Sequence, residues 1–205
     1  MEMLLVFCKN PIRGEVKTRL AADLGETAAL AVYEALGRHT RLVLRIWEGA
    51  VAVFHATAPA TPNAWTHPGW LHQIQQGADL GARMEQASSW AFAQGATKVC
   101  LIGSDLWTLQ PSDLEQAFAA LDSRSVVWGP ASDGGYYLLG LTQPQPELFY
   151  NLPWSQPELL QQSQARLPKG TRQHLLREQN DIDTLADLQA HPDLYNHFRP
   201  SEDNS

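Results

Sequence analysis

The chain has 205 residues, a formal net charge of −7 at pH 7 and two cysteines. This length suits one large α/β domain, which buries roughly 70% of the surface that the unfolded chain exposes, and we predict a single domain over residues 1–205. The acidic balance argues against a nucleic-acid surface, because binding there depends on many Lys and Arg contacts with phosphates.

Strand-like and helix-like segments alternate along the chain. Short apolar runs predict strands, and apolar residues at helical spacing predict helices. The predicted strands cover residues 4–8, 51–55, 70–74, 98–102, 126–128, 136–141 and 174–177. The predicted helices cover residues 27–47, 80–93, 112–121, 158–165 and 185–190. This alternation predicts a three-layer α/β/α sandwich with a mixed, mostly parallel sheet.

Local patterns add detail to these elements. Ser112 is the predicted N-cap of its helix, with Glu115 completing a capping box. The proline-rich residues 143–157 are predicted to cross the surface, and the acidic, polar residues 196–205 to form a disordered tail. The helix over residues 27–47 has apolar positions at helical spacing: Leu30, Tyr33, Leu36, Leu42 and Ile46.

Cysteine usage and hydropathy indicate a compartment. Cys8 and Cys100 lie inside apolar, strand-like runs, so we predict reduced thiols in the core. No stretch approaches membrane-spanning length, and the apolar run after Met1 is too short for the core of a signal peptide. We therefore expect a cytoplasmic protein that binds neither a membrane nor nucleic acid. The oligomeric state stays open.

A basic loop follows the first predicted strand. Ligands of open α/β sheets bind just outside the carboxyl ends of strands, where Lys and Arg donate charge-assisted hydrogen bonds to phosphates. Gly14 lets the backbone approach an anion, and Thr18 lies at a helix start with free N–H groups. The candidate nucleotide-binding residues are Lys9, Pro11, Arg13, Gly14, Lys17, Thr18 and Arg19.

Other phosphate and nucleophile motifs do not match. The spacing excludes a P-loop, because Gly14 stands three residues before Lys17 and no glycine precedes it. Ser104 lacks the G-x-S-x-G frame of a hydrolase nucleophile and is instead a candidate nucleotide contact. The alternative for the basic loop is a solvated helix start, which is what most charge runs are.

Aspartates follow two of the predicted strands. Asp105 comes directly after residues 98–102, and Asp181 and Asp183 follow residues 174–177. Mg²⁺ binds through one or two carboxylates plus substrate phosphates, so these residues are candidate metal ligands. We expect Asp105 and Asp183 to approach one another across the crevice. The alternative is that each caps a following helix, which Asp often does.

Two glycine-containing loops are further candidates. Gln76 and Gly77 precede a helix that Asp79 is predicted to cap, and a glutamine amide can bind a nucleobase edge. Arg83 lies one turn inside that helix, beside a predicted core residue, Met84. A second loop offers a rim for an acceptor, although turn chemistry alone also explains its glycines; it contains Asp133, Gly134, Gly135 and Tyr136.

The motifs in this order resemble the nucleotide-diphospho-sugar transferase superfamily of GT-A fold. The matching pieces are FCKNPIRGEVKTRLA, QQGADLGARM, LIGSDLWTL, GPASDGGYYLLGL and DIDTLADL, which together span residues 7–188. Within the superfamily the chain looks like the bacterial glycosyltransferase-A-like proteins, also known as selenodomain-associated transferases. These are similar to 2-phospho-L-lactate guanylyltransferase and molybdenum cofactor guanylyltransferase.

The resemblance implies roles for particular residues. Asp105 would be the principal ligand of Mg²⁺ or Mn²⁺, Asp183 would complete the metal site, and Asp181 is a weaker candidate. Gln76 and Gly77 would help to seat the base. The nucleotide phosphates would be held by Lys9, Arg13, Lys17 and Arg19. The acceptor pocket would be bordered by Asp133, Gly134 and Gly135.

The sequence predicts nucleotidyl transfer from a nucleoside triphosphate to a small, phosphorylated acceptor, with Lys17, Arg19 and Asp105 as catalytic residues. Glycosyl transfer from a nucleotide-sugar uses the same residues and is the first alternative. Trp107 stands where relatives carry proline, which favours a second alternative, a non-catalytic module that binds a nucleotide or a partner. Its indole is expected either to stack on the base or sugar or to narrow the donor pocket.

Overall fold

The computed structural model describes residues 1–59 and 63–198. Within them, seven strands form one sheet in the order β3-β2-β1-β4-β6-β5-β7. β6 is antiparallel to β4 and β5, whereas the remaining neighbours are parallel. The predicted mixed, mostly parallel sheet is thereby confirmed. The strands are β1 (Glu2–Cys8), β2 (Ala50–His55), β3 (Leu71–Ile74), β4 (Lys98–Ile102), β5 (Val126–Pro130), β6 (Tyr136–Leu141) and β7 (Gln173–Leu175).

Helices cover both faces of the sheet, giving the three predicted layers. Successive strand residues point to opposite faces: Leu4 packs in the core with α2 and α4, and Leu5 packs in the core with α3. No helix in the described ranges is long and apolar enough to cross a membrane. The helices are α1 (Thr18–Leu24), α2 (Glu26–Leu44), α3 (Leu80–Ala93), α4 (Pro111–Ala120), α5 (Leu159–Arg166), α6 (Leu185–Gln189) and α7 (Pro192–Phe198), with a 3-10 helix at Pro146–Leu148.

A separate apolar cluster joins α1, α2, α6 and α7, and it holds the basic loop against the rest of the fold. Leu20 of α1 and Leu36 of α2 are fully buried in it. Helix α7 was not predicted, and it includes residues 196–198, so the predicted tail is wrong there. Leu194 packs into the cluster and anchors this short helix. Residues 199–205 of the predicted tail lie outside the described residues.

The long predicted helix ends earlier than its apolar pattern indicates. Gly25, with φ of 82°, separates α1 from α2, and α2 ends at Leu44. Leu42 and Ile46 are 54% and 67% exposed, so their assignment to the apolar face is wrong. The helix instead buries Leu36, Val43 and neighbours on the same side, and a solvated leucine costs little.

The predicted cap of α4 is also wrong. Gln110 is the N-cap, Pro111 occupies the first helical position, and Asp113 completes the capping box. The backbone N–H of Gln110 donates to Asp113 Oδ2 at 2.8 Å. Proline is favoured at the first helical position because its missing N–H needs no partner there, which moves the helix start before Ser112.

Two further sequence predictions are confirmed, and a third is wrong. Cys8 and Cys100 are buried free thiols, as predicted. Asp79 caps α3 by accepting from the Ala82 N–H at 2.8 Å, also as predicted. The segment over residues 143–157 is more than a surface crossing, since Leu148 and Phe149 are 0% and 1% exposed. Their apolar side chains pack in the same core cluster as the buried side of α3.

Candidate active site

Three aspartates meet at the carboxyl edge of the sheet. Asp105 follows β4, and Asp181 and Asp183 lie between β7 and α6. One carboxylate oxygen from each lies within 4.8 Å of the other two. The predicted approach of Asp105 and Asp183 is confirmed. Neither caps a helix, because α4 is capped by Gln110 and α6 by Thr184.

Lys17 lies between two of these carboxylates. Its Nζ donates to Asp105 Oδ2 at 2.8 Å and to Asp183 Oδ1 at 2.7 Å, and its side chain is 4% exposed. Burial opposes the charge, but the two carboxylates outweigh it and raise the pKa of Lys17, which therefore stays an ammonium. Lys17 adopts φ 48° and ψ 45° directly before α1, a left-handed conformation that is uncommon for lysine.

Asp181 is the least compensated of the three acids. Burial raises its pKa to about 7, and the negative charges of Asp105 and Asp183 add to this effect. Lys17 acts in the opposite direction without fully offsetting it. The cluster thus carries more negative charge than the single lysine neutralises, which is the electrostatic setting in which a bound cation is stabilised.

One cavity opens beside this cluster, and we call it the central cavity. Its volume is about 410 Å³. Two hydrogen bonds fix the backbone of Lys9 at the rim of this cavity. The Lys9 N–H donates to the Tyr33 hydroxyl, and that hydroxyl donates to the Lys9 carbonyl. Eight of its fourteen lining residues have polar side chains. They include Lys9, Lys17, Tyr33, Gln75, Arg83, Ser104, Asp105 and Asp183.

The amide that faces the central cavity is Gln75, whereas the sequence singled out Gln76 and Gly77. Gln75 Nε2 donates to the carbonyls of Cys8 and Phe54, and within the described part of the chain its Oε1 has no hydrogen-bond donor and stays an available acceptor. Among the described residues Gln76 and Gly77 lie outside the cavity lining. Arg83 Nε donates to the Gly77 carbonyl at 3.2 Å and connects that loop to α3.

A second cavity, the apolar cavity, adjoins the same acids from the other side. Its volume is about 310 Å³, and Asp105 and Asp183 line both cavities. Arg19, Asp133 and Asp181 supply charge, while most of the wall is apolar or aromatic. The apolar part of its wall includes Phe7, Met84, Leu101, Leu106, Tyr136, Trp154 and Leu159.

The glycine loop at this cavity is held by close backbone packing. Gly134 has φ of 87°, and a Cβ there would collide with the Pro157 carbonyl. The N–H of Gly135 donates to Asp133 Oδ1 at 2.9 Å, which fixes that carboxylate. Tyr136 lines the cavity, and its hydroxyl is buried without a hydrogen-bond partner in the described ranges.

The structure therefore separates the residues of the basic loop. Lys9 lines the central cavity, Lys17 binds the aspartates, and Arg19 lines the apolar cavity. Arg13 instead pairs with Glu26 at 3.0 Å on the surface. Gly14 takes φ of 83° in the turn between β1 and α1, and Thr18 is the exposed first residue of α1. Pro11 lines a third cavity, against α2.

A buried network behind the aspartates was missed in the sequence. Asp113 Oδ1 and Oδ2 accept from Arg177 at 2.8 and 2.9 Å, and Asp113 is 3% exposed. Gln179 accepts from the Thr108 hydroxyl and donates to Asp113. This network ties the loop after Asp105 to the segment that leads to Asp181. The only sign of this network in the sequence was Pro111, a proline suited to a helix start, two residues before Asp113.

Trp107 does not take either predicted role. Its ring lies 5.0 Å from that of His39, and its indole N–H donates to Asp193 at 3.3 Å. It packs on the cluster of α1, α2, α6 and α7 and is outside the lining of both cavities. Its function in this fold is therefore to attach α7 to the loop after β4.

Replacing Trp107 with alanine is expected to lower the free energy of unfolding by about 2 kcal/mol, less than the roughly 3–5 kcal/mol for a fully buried aromatic residue. Because the indole lines neither cavity, the affinity for Mn²⁺ should not change. Urea unfolding and calorimetry measure the two quantities. A stable variant with lost Mn²⁺ affinity would show that the indole acts on the site.

Comparisons with solved structures identify the fold. A proposed nucleotide-diphospho-sugar transferase from Desulfovibrio desulfuricans is 28% identical, with a TM-score of 0.83 over 98% of this chain and 89% of that chain. A Mycobacterium tuberculosis protein solved with manganese is 14% identical, with a TM-score of 0.55 over 92% and 96%. A CMP:2-keto-3-deoxy-manno-octonic acid synthetase with CTP is 12% identical, with a TM-score of 0.54 over 96% and 98%.

The fold is thus that of nucleotide-diphospho-sugar transferases and cytidylyltransferases. The Desulfovibrio desulfuricans neighbour supports a transferase. Comparison with curated proteins gives no match. The chain belongs to the family described as uncharacterized proteins conserved in bacteria (DUF2064), which matches residues 22–156.

Proposed function

We propose that the protein is a Mg²⁺- or Mn²⁺-dependent transferase that moves a nucleotidyl group from a nucleoside triphosphate to a small acceptor. The observation that carries this proposal is that the central and apolar cavities meet at Asp105 and Asp183. Two cavities that meet at the same residues can hold two substrates next to each other. Holding the reacting groups in contact supplies much of a transferase's rate enhancement.

The three aspartates fit a hard divalent cation. Carboxylate oxygens are the preferred ligands of Mg²⁺, and the excess negative charge around Asp181 favours a cation there. Such an ion, when bound, neutralises charge that develops on the transferred phosphate and the leaving group. The structural neighbour solved with manganese is consistent with this assignment. Asp105, Asp181 and Asp183 would hold the ion.

The central cavity suits the nucleotide. Lys9, Arg83 and Lys17 offer cationic donors for phosphates, and the free Oε1 of Gln75 accepts from a base or ribose. Lys17 has three N–H donors and uses two on carboxylates, which leaves one for a phosphate oxygen. Solved neighbours of this fold include a complex with CTP.

The apolar cavity suits the acceptor. Arg19 is the single cation among its described lining residues, whereas Phe7, Tyr136 and Trp154 give it an aromatic wall. The same lining contains four aspartates, Asp105, Asp133, Asp181 and Asp183. With a cation bound at the aspartates, the combination fits a molecule with an apolar body and one anionic end, such as a phosphate, held by Arg19 and that cation. Asp133, Gly134 and Gly135 form the adjoining turn.

The proposed reaction is an in-line displacement. An anionic oxygen of the acceptor forms a bond to the α-phosphorus, and the bond from that phosphorus to the pyrophosphate oxygen breaks. Lys17 and Arg19 stabilise charge on the phosphates, so catalysis is mainly positioning and electrostatics. An acceptor that is already an anion needs no general base.

Glycosyl transfer is the second candidate, because the similar Desulfovibrio desulfuricans structure is described as a proposed nucleotide-diphospho-sugar transferase. It would use the same cavities and release a nucleoside diphosphate instead of pyrophosphate. The sequence argument for a non-catalytic module rested on Trp107. The indole packs against the helical cluster and lies outside the lining of both cavities, which weakens that support.

Calorimetry with nucleoside triphosphates and nucleotide-sugars, with and without Mn²⁺, tests this proposal. We expect Mn²⁺-dependent binding that Asp105→Asn weakens by at least about tenfold, since one charge-assisted ligand contributes roughly 1.5–3 kcal/mol. Asp122→Asn is the control, because Asp122 is 70% exposed and pairs with Lys98. Pyrophosphate release with added acceptors identifies nucleotidyl transfer. Absence of metal-dependent nucleotide binding would contradict the proposal.

A further inference from the structure

A third cavity, the α2 cavity, lies on the other side of Lys9 and has a volume of about 300 Å³. Its described lining residues include three cations, Lys9, Arg38 and Arg41, and a single acid, Glu34. The three aspartates of the candidate active site do not line it. The excess positive charge is concentrated in a concave site within a chain whose net charge is −7.

Arg41 is the most constrained of these cations. Its guanidinium carbon lies 5.2 Å from the centre of the Trp65 ring, and Trp65 is 7% exposed. Burial, followed by the positive charges of Arg38 and Arg45, lowers the pKa of Arg41. Within residues 1–59 and 63–198 it forms no ion pair with a carboxylate. An anion in the cavity would offset this like-charge repulsion.

Gly37 provides the space for this arrangement. It lies within α2, where glycine stabilises a helix less than alanine does. A Cβ at this position would lie 3.3 Å from Arg41 Nη1 and 3.7 Å from Trp65 Cζ2. The first distance is tighter than ordinary contact, so alanine would press on the guanidinium. Helix α2 therefore carries glycine, which stabilises a helix less than alanine does, at the position where Arg41 and Trp65 come together.

We propose that the α2 cavity is a second anion site, which binds the phosphate group of a small molecule. Two arginines and one lysine against one glutamate leave two positive charges, which match a phosphate dianion, and guanidinium groups donate paired hydrogen bonds to phosphate oxygens. Tyr33, Pro11 and Trp65 offer apolar contact for a small organic part. The volume is at the lower end of the range for small-molecule sites.

The α2 cavity and the central cavity share Lys9 and Tyr33. The two hydrogen bonds between the Tyr33 hydroxyl and the Lys9 backbone hold this common wall in place. A phosphate in the α2 cavity therefore has Arg38 and Arg41 as its own partners, and it has Lys9 in common with a ligand of the central cavity. This difference allows the two sites to be tested separately.

The test is calorimetric titration with inorganic phosphate in the presence of a chelator, so that the metal site does not contribute. Wild type is expected to bind, and Arg38→Gln/Arg41→Gln should raise Kd by at least about tenfold. Arg45→Gln is the matched control, because Arg45 is the C-cap residue directly after α2 and lies outside the cavity lining. Lys17→Met reports on the central cavity, where Lys17 binds Asp105 and Asp183, so any phosphate binding that this variant removes is assigned to that cavity and not to the α2 cavity.

Arg38→Gln alone covers the case in which the double variant does not fold, because Arg38 is exposed. It should weaken phosphate binding while leaving the melting temperature unchanged. The proposal is overturned if wild type does not bind phosphate at roughly millimolar concentration. It is also overturned if Lys17→Met abolishes binding while the arginine variants retain it, since phosphate would then occupy the central cavity.

Discussion

Replacing Lys17 with methionine is expected to lower the free energy of unfolding of the metal-free protein by about 2 kcal/mol. Breaking a fully buried ion pair costs roughly 3–5 kcal/mol, but Asp105 and Asp183 are 32% and 43% exposed, and water offsets part of the loss. The variant leaves three carboxylates within 4.8 Å without a cation. Urea unfolding in a chelator measures the effect.

Mn²⁺ should stabilise the Lys17→Met protein more than it stabilises wild type. In wild type the ammonium competes with the ion for Asp105 and Asp183, whereas in the variant the carboxylates are free to bind it. A ligand at 100 times its Kd contributes about 2.7 kcal/mol, which is enough to restore the loss. The readout is the melting temperature with increasing Mn²⁺, without any substrate.

Lys98→Met is the matched control. Lys98 also joins two carboxylates, Glu2 and Asp122, but it lies at the amino end of β4, opposite the candidate active site. We expect a smaller loss of stability and no additional stabilisation by Mn²⁺. Equal Mn²⁺ stabilisation of the Lys17→Met, Lys98→Met and wild-type proteins would contradict the assignment of the three aspartates as a metal site.

Asp113→Ala is expected to lower the free energy of unfolding by about 2 kcal/mol, below the roughly 3–5 kcal/mol for breaking a fully buried ion pair, because the Arg177 side chain that is left is 49% exposed and hydrated. The carboxylate is 3% exposed and accepts from Gln110, Arg177 and Gln179. Burial opposes its charge, but these donors outweigh burial and lower its pKa. Its contribution is therefore present at neutral pH and is lost as the pH falls below about 4, through the lowered folded-state pKa.

Glu115→Ala is the control for Asp113→Ala, because Glu115 is exposed on the same helix and was the residue that the sequence predicted for the cap. Unfolding in urea at pH 7 and near pH 3 compares the variants. The difference between Asp113→Ala and wild type should shrink at the lower pH. If Glu115→Ala lowered the free energy of unfolding at pH 7 more than Asp113→Ala does, the result would support the capping box that the sequence predicted and contradict the one in the structure.

The sequence predicted the structure best where a strand is buried on both faces, because such a strand appears as an uninterrupted run of apolar residues. The strand over residues 98–102 was predicted with its observed bounds, because a strand covered on both faces is a continuous apolar run, here after Lys98 at its amino end. Asp105 was found for the same reason, since it directly follows that strand. The overall α/β architecture follows from several such runs separated by helical spacing.

Residues whose partners are distant in the chain were not predictable in this way. Lys17 was identified as a cation for phosphates, but its contacts are 88 and 166 positions away, and no local pattern reveals them. Gln75 and Gln76 have the same side chain, and only the backbone after β3 decides which faces the cavity. Trp107 was assigned to a pocket because its helical partners, including α7, were not foreseen.

The reversed direction of β6 has a consequence for how the site can diverge. β5 ends and β6 begins at the same sheet edge as the carboxyl end of β4, so the turn over residues 131–135 reaches the aspartates as a simple hairpin connection. Hairpin turns tolerate changes of length and sequence better than the strands that they join. Apart from Gly134, which packs against the Pro157 carbonyl, selection can therefore reshape the acceptor side of the cavity through this turn while the strands that position Asp105, Asp181 and Asp183 stay unchanged.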